Sequence, residues 1–482
     1  MAEKKFYLTT AIPYVNAEPH IGFALEIVQA DALARWHRQL LEEEVWFLTG
    51  TDENSLKNVQ SAEKEGVSVR EFVTRTSQKY LELKEALNLS FDDFIRTTEP
   101  RHREGAEKLW QACDQAGKIY KKKYRGLYCV GCEAFLPEKE LAEGKCPEHQ
   151  KTPEVVEEEN YFFRLSDYQK ELEELIASDQ LKIVPASRKN EILNFIRSGL
   201  EDFSISRSVA RAKDWGIPVP GDNSQIMYVW FDALSNYITA LDYATDGEKF
   251  KQYWPADLHV IGKGILRFHA AYWPAMLLAA NLPLPQAIFV HDYITVEGQK
   301  ISKSLGNSVD PFYAVAKYGT DAVRYYLLRY ISPFTDSDFS FRHLEEIYNA
   351  DLANSLGNTV SRVAKLCANA DFGATTTNST PGVEKAVTEA LKSFNFPLAL
   401  ETIWQRLANL EKTLSIEKPW EKDTRQQRPL LEKYIQEILA IAYHLQPFLP
   451  TTAERIKHQF SQNPIQSESP LFPRLAKKDI EN

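Results

Sequence analysis

The first fifty residues constrain the fold most. Lys5 to Thr10 reads as a strand, Ile21 to Leu40 carries apolar residues at helical spacing (Leu25, Val28, Ala32, Leu33, Trp36), and Val45 to Leu48 is a short apolar strand. Strand, helix and strand within one such stretch make a βαβ unit, which demands a parallel sheet and a right-handed crossover. Thr51, Asp52 and Glu53 then fall just past the C-terminal end of the second strand, where open α/β sheets bind ligands.

A chain of 482 residues is too long for one core, and its patterning suggests four segments. Residues 1–118 read as the first half of a Rossmann-like domain. Residues 119–215 read as an insertion: a basic patch (Lys118, Lys121, Lys122, Lys123, Arg125) runs into a cysteine cluster and then into the acidic run Glu154 to Glu159. Strand-like runs return at Leu258 to Ile261 and Ala287 to Val290, so 216–340 reads as the second half of the sheet domain. From 341 to 482 the pattern is helical, with breaks expected near Phe372 to Pro381 and Pro419 to Pro429, as in an all-α bundle. The fold class is therefore α/β with an inserted knuckle, followed by an all-α domain.

Composition sets the partners less firmly. The net charge of −10 argues against a general polyanion binder, but Phe341 to Asn482 is balanced, with 17 Lys/Arg and 17 Asp/Glu. No apolar run is long enough for a membrane span, and Met1-Ala2-Glu3-Lys4-Lys5 leads into a strand without a signal-peptide core. A cytoplasmic protein is expected.

Three motifs carry chemistry. Pro19-His20-Ile21-Gly22 ends a loop and opens a helix. Helix N-terminal amides favour phosphates, His20 can donate to one, and Gly22 lets a nucleotide approach the backbone; the same residues also suit a helix cap with a packing glycine. Lys300-Ile301-Ser302-Lys303-Ser304 places two lysines in a short loop beside Gly298, suited to neutralising a leaving pyrophosphate. Cys129-x2-Cys132 and Cys146-x2-His149 supply four soft ligands in two pairs. A closed Cys3His shell fits one structural Zn²⁺ and leaves no open catalytic position. Cys113 and Cys367 read as core residues.

With these in hand the chain resembles the methionyl branch of the class I aminoacyl-tRNA synthetases over nearly its whole length. The narrower resemblance rests on Thr10-Ala11-Ile12-Pro13-Tyr14, Thr49-Gly50-Thr51-Asp52-Glu53, the knuckle, Ser204-Ile205-Ser206-Arg207, Trp215-Gly216-Ile217-Pro218-Val219-Pro220 and Trp230-Phe231-Asp232-Ala233. It implies ATP, L-methionine and tRNA(Met) as substrates, Mg²⁺ entering with ATP, and His20, Lys300 and Lys303 as catalytic groups. ATP would meet Pro13, His20, Gly22, Phe23, Lys300, Ser302 and Lys303. Asp52 would hold the amino acid's ammonium group, and Ile12, Tyr14, Trp230, Ala233, Tyr237, Ile265 and His269 would enclose its side chain. Aromatic walls suit a polarizable thioether, toward whose sulfur Tyr14 and His269 could also point a donor. Asn358 and Arg362, one turn apart, match the anticodon-reading pair. With the chain ending at Asn482, a monomer is expected.

The chain departs from the family pattern at Phe23 (usually His), at Asn54-Ser55 within Asp52-Glu53-Asn54-Ser55 (usually Asp-Glu-His-Gly), at Gly264 (commonly acidic) and at Leu234 (often Pro). Phe23 throws more of the phosphate binding onto His20, Lys300 and Lys303; Gly264 removes one ribose contact. The alternatives are another class I synthetase, a nucleotidylyltransferase, or an RNA-binding paralogue impaired in catalysis. The lack of a large editing insertion argues against isoleucine, valine and leucine as substrates, and the long helical domain against the transferase.

Overall fold

The computed structural model describes residues 4–129, 131, 134–136, 138, 141–147, 150–296, 298–300, 307–373 and 382–475. The chain divides into two compact units. One comprises Met1–Pro19, Val45–Glu82 and Phe91–His291; the other comprises His20–Glu44, Leu83–Ser90 and Asp292–Asn482.

The first unit is built on a six-stranded sheet. In chain order its strands are β1 (Lys5–Thr10), β2 (Glu44–Thr51), β3 (Asp93–Arg96), β4 (Lys182–Val184), β5 (Leu258–Gly262) and β6 (Ala287–His291). Their spatial order is β3-β2-β1-β5-β6-β4. The pairs β2–β3, β1–β5, β5–β6 and β6–β4 are parallel, with Leu8 opposite Leu258, and Leu258 opposite Ala287. This is the Rossmann-like parallel sheet expected from the N-terminal pattern. Residues Leu8 to Thr10 of β1 and Leu258 to Ile261 of β5 are all buried, which explains their largely apolar runs, and the buried His259 is met by the Thr9 hydroxyl at 2.7 Å. Thr10 and Thr49 satisfy each other's buried hydroxyls at 2.7 Å.

Within 119–215 the chain makes a separate antiparallel sheet from Ala134–Leu136, Ile119–Cys129, Glu154–Phe163 and Phe203–Ser204. The basic patch and the acidic run are partners in it: Lys123 lies opposite Glu159 and Arg125 opposite Glu157. Opposite charges facing across a ladder stabilise it, so that patch is internally neutralised. The short strand β4 leaves this region and closes the edge of the main sheet, with Ile183 opposite Ile288.

In the second unit the helix Ile21–Arg35 runs on as a π-helical turn, Trp36–Leu40. A small sheet joins Gln299–Lys300, Ile294–Val296 and Ser337–Phe339. Beyond it lie the helices Phe341–Ile347, Asn358–Asn369, Lys385–Lys392, Phe396–Glu417, Thr424–Leu445 and Pro450–Phe460. One expected break is shorter than the prolines suggested. After a single turn at Pro419–Glu421, Asp423 caps Gln426 and the helix runs through Pro429. The one backbone bond lost to Pro429 is outweighed by burial of Leu431, Tyr434, Ile435 and Ile438. Most of the other expected break, 374–381, lies outside the described residues. Among the described residues no helix is long and apolar enough to cross a membrane.

Candidate active site

The C-terminal ends of β1 and β2 place the first cluster. Past β1 the chain carries Ile12, Pro13 and Tyr14; past β2 it carries Asp52. The two runs are held side by side by a parallel bridge between Tyr14 and Asp52 and by the Asp52 amide donating to the Pro13 carbonyl at 2.9 Å. Asp52 is 2% exposed. Its Oδ1 accepts the Asn54 amide at 3.1 Å, and its carbonyl accepts from the Asn58 side chain at 3.0 Å. The neighbouring Glu53 anchors this run: its buried carboxylate accepts from Arg96 at 2.6 Å and from Ser77 and Thr98, while its carbonyl takes the Trp215 indole N–H at 2.8 Å. Residues far apart in sequence thus hold Asp52 in place.

The wall opposite comes from the short helices Val229–Leu234 and Asn236–Thr239 and the π-helical turn Phe268–Tyr272. The Trp230 ring meets Tyr14 edge-on at 6.3 Å and His269 at 6.5 Å. Ala233 lies one turn after Trp230, and Ile12 and Ile265 pack half-buried against the same core. Phe268, which opens an aromatic stretch that the sequence suggests as a pocket wall, stacks on Trp230 at 3.8 Å with the planes 5° apart. Ile12, Tyr14, Asp52, Trp230, Ala233, Tyr237, Ile265 and His269 all belong to this one unit.

His269 is almost fully buried, and burial lowers its pKa to about 4. The ring is therefore neutral at ordinary pH, and its contacts fix the tautomer. Nδ1–H donates to the Ile265 carbonyl at 3.0 Å, so Nε2 accepts from the Tyr237 hydroxyl at 2.7 Å. The donor toward sulfur expected of His269 is accordingly committed to Ile265. Lys57 sits 4.9 Å above the Tyr14 ring and also lines a cavity of ≈ 450 Å³ shared with Asn16, Lys64, Tyr128, Lys151 and Glu154.

The phosphate motifs lie in the second unit. His20 is the N-cap of the helix Ile21–Arg35, its Nδ1 accepting the Gly22 amide at 3.1 Å. The capping and phosphate readings are compatible: burial lowers the His20 pKa, and a neutral ring accepting at Nδ1 keeps its proton on Nε2 as a donor. Phe23 is buried in the first turn. Lys300 pairs with Thr295 across a hairpin whose turn holds Gly298 at φ 71°, a conformation glycine adopts without strain. The Lys300 side chain, Ser302 and Lys303 lie outside the described residues. Asn358 and Arg362 are both exposed on one helix, and the Arg362 guanidinium stacks 4.3 Å over Trp420, itself 43% exposed. Trp420 escaped the sequence reading because it follows a proline in a short turn.

Of the metal set, Cys129 and Cys146 are described, both buried and neither in a disulfide. Cys129 closes its strand, and Cys146 opens a turn in which its carbonyl accepts the Gln150 amide at 2.8 Å. Cys132 and His149 lie outside the described residues.

A parallel sheet with an acidic residue and an aromatic wall at its C-terminal edge, a histidine-capped helix and a lysine hairpin define a class I aminoacyl-tRNA synthetase. The sequence profile described as "tRNA synthetases class I (M)" matches residues 6–152 and 148–364. Methionine--tRNA ligase of Brucella suis is 40% identical, the alignment covering 100% of both chains, and that of Nostoc sp. is 44% identical over 95% of this chain and 90% of its own. A structure of Mycobacterium tuberculosis methionyl-tRNA synthetase in complex with methionyl-adenylate superposes with a TM-score of 0.88 at 36% identity, covering 98% of this chain and 100% of that one. The chain belongs to the methionyl-tRNA synthetase family.

Proposed function

We propose that the protein is a methionine–tRNA ligase that makes methionyl-adenylate from L-methionine and ATP and passes methionine to the 3′ end of tRNA(Met). The observation that carries this reading is the aromatic cluster of Tyr14, Trp230, Tyr237 and His269, joined to buried Asp52 by the backbone bridge at Tyr14. Asp52 takes the ammonium group, and the wall takes the thioether, with sulfur gaining from ring contact. The His269–Tyr237 hydrogen bond satisfies both polar tips, leaving an apolar surface that a charged or strongly polar side chain would find costly.

In the first step a methionine carboxylate oxygen attacks the α-phosphorus, the α–β bridging P–O bond breaks, and pyrophosphate leaves. On the family resemblance His20, the amides of the Gly22 turn, Lys300 and Lys303 would meet the developing phosphate charge, and Pro13, Phe23 and Ser302 would also contact ATP. Mg²⁺ enters with ATP. Positioning and charge stabilisation suffice, and no side chain becomes covalent. In the second step the terminal ribose hydroxyl attacks the adenylate carbonyl and AMP leaves with the acyl–oxygen electron pair. The cavity lined by Lys57, Lys64 and Lys151 suits the phosphates of that RNA end. Exposed Arg362, Asn358 and Trp420 suit splayed anticodon bases, which stack on aromatic and guanidinium planes. Cys129, Cys132, Cys146 and His149 would hold Zn²⁺, whose role there is to fold the knuckle.

The test is amino-acid-dependent exchange of labelled pyrophosphate into ATP, run with each of the twenty amino acids, followed by acylation of tRNA(Met). Exchange with methionine alone is expected. Exchange with another amino acid would discard the pocket assignment, and no exchange at all would favour the impaired RNA-binding paralogue.

A further inference from the structure

Behind the aromatic wall runs a line of buried polar groups that the mechanism above does not use. Thr239 Oγ1 lies 2.8 Å from His102 Nδ1, and His102 Nε2 lies 2.8 Å from Asp232 Oδ1. The Asn54 side-chain amide donates to Asp232 Oδ2 at 2.7 Å, and the Asn54 backbone amide donates to Asp52. His102, Asp232 and Thr239 are 0% exposed and Asn54 is 7% exposed. The Asn54 amide donates to one Asp232 oxygen and the His102 ring meets the other, while the Thr239 hydroxyl, which also reaches the Asn236 carbonyl at 3.3 Å, meets the far ring nitrogen.

An apolar cluster would fill this space at lower cost than a buried carboxylate, so the line needs another reason. Its members sit on the elements the methionine pocket requires at fixed spacing. Asp232 lies between Trp230 and Ala233, Thr239 is two residues past Tyr237, and Asn54 is two residues past Asp52. His102 is the one member outside those elements, in the first turn of the helix Pro100–Gln115. Gly105 of that helix lies so close to Thr239 that an added Cβ would come within 2.4 Å of its methyl, so the helix is seated directly against the line.

We propose that His102 is a positioning residue for methionine activation: through Asp232 and Asn54 it sets the distance between the ammonium-binding carboxylate of Asp52 and the wall carried by Trp230 and Ala233. The inference rests on the pocket reading above. It explains how Asn54 functions at a motif position where the resemblance leads one to expect histidine: a short amide suffices because Asp232 is already held from its other side.

Two substitutions separate the roles of the two ring nitrogens. His102→Gln places an amide near Nε2 and keeps a donor for Asp232; His102→Asn places one near Nδ1 and keeps only the Thr239 contact. In pyrophosphate exchange, His102→Asn is expected to raise KM for methionine by about tenfold or more, with KM for ATP unchanged. His102→Gln is expected to stay within about threefold of the parent on both constants. The proposal is overturned if His102→Asn leaves KM for methionine unchanged, or if both His102 variants lose methionine and ATP affinity together in step with melting temperature, as a purely structural residue would. Trp230→Ala, measured alongside, keeps the two readings apart. If it raises KM for methionine while His102→Asn does not, only the positioning role fails; if it has no effect, the pocket itself is wrong.

Discussion

His269 shows how one buried group ties chemistry to stability. Its pKa near 4 in the folded protein, against about 6.5 in the unfolded chain, means that the unfolded state binds more protons between those values. Stability is fully present above pH 6.5 and is lost as pH falls toward 4. The loss from this group amounts to roughly 2 kcal/mol by pH 5. His259, fully buried and lowered by burial and by His269, acts in the same direction. Urea unfolding at pH 7.5, 6 and 5 should show this decline, and His269→Asn, which does not titrate, should flatten it. An unchanged slope in that variant would mean that other groups carry the acid sensitivity. The same residue marks a limit of motif reading: its place in the wall was legible, but the direction of its proton depended on a carbonyl four residues back and a hydroxyl from another helix.

At the scale of elements, the helix Asn358–Asn369 and the turn Pro419–Glu421 together present a planar cation over an exposed indole. A base stacked on such a surface is worth about 1–3 kcal/mol. Trp420→Ala should therefore raise KM for tRNA(Met) in acylation by about tenfold to a hundredfold, with methionine-dependent pyrophosphate exchange unaltered. An equal loss in both assays would place Trp420 in the folding of the bundle instead. The helical pattern of this region was readable because each helix buries a stripe at period 3.6. The edge strand β4 was not readable. A strand of three residues is too short to show period two, and its partner β6 lies about a hundred residues further along the chain.

At the scale of a whole unit, Arg324 is the tie that holds the second one together. It is fully buried, donating to the carbonyls of Leu87, Pro447 and Phe448 and pairing with Asp31 at 2.8 Å. Asp31 also accepts from Arg35 and Ser90. Burial pushes the Asp31 carboxyl up, but the Arg324 and Arg35 guanidiniums and the Ser90 hydroxyl outweigh it and hold its pKa below the usual value. Removing one partner of such a pair strands a buried charge and costs about 3–5 kcal/mol. Arg324→Ala should lower the free energy of unfolding by that amount, read from urea denaturation. Hydrogen exchange should rise first in the helix Ile21–Arg35, which His20 caps. Retained protection there would show that the helix does not depend on this tie.

The residues expected around Asp52 came from the family resemblance; what the sequence by itself determined is local chemistry: the alternation of strand and helix, the histidine at a helix start, the paired lysines beside a glycine, and the soft-ligand pairs. These follow from neighbours within a few residues, where periodicity and residue type act directly. Only the tertiary structure decided that Phe268 would back Trp230, that Trp420 would meet Arg362, and that His102 would reach Asp232. Each of these contacts joins segments distant along the chain. Which of many polar or aromatic groups meet is set by how whole elements pack, and no local pattern in the sequence encodes that.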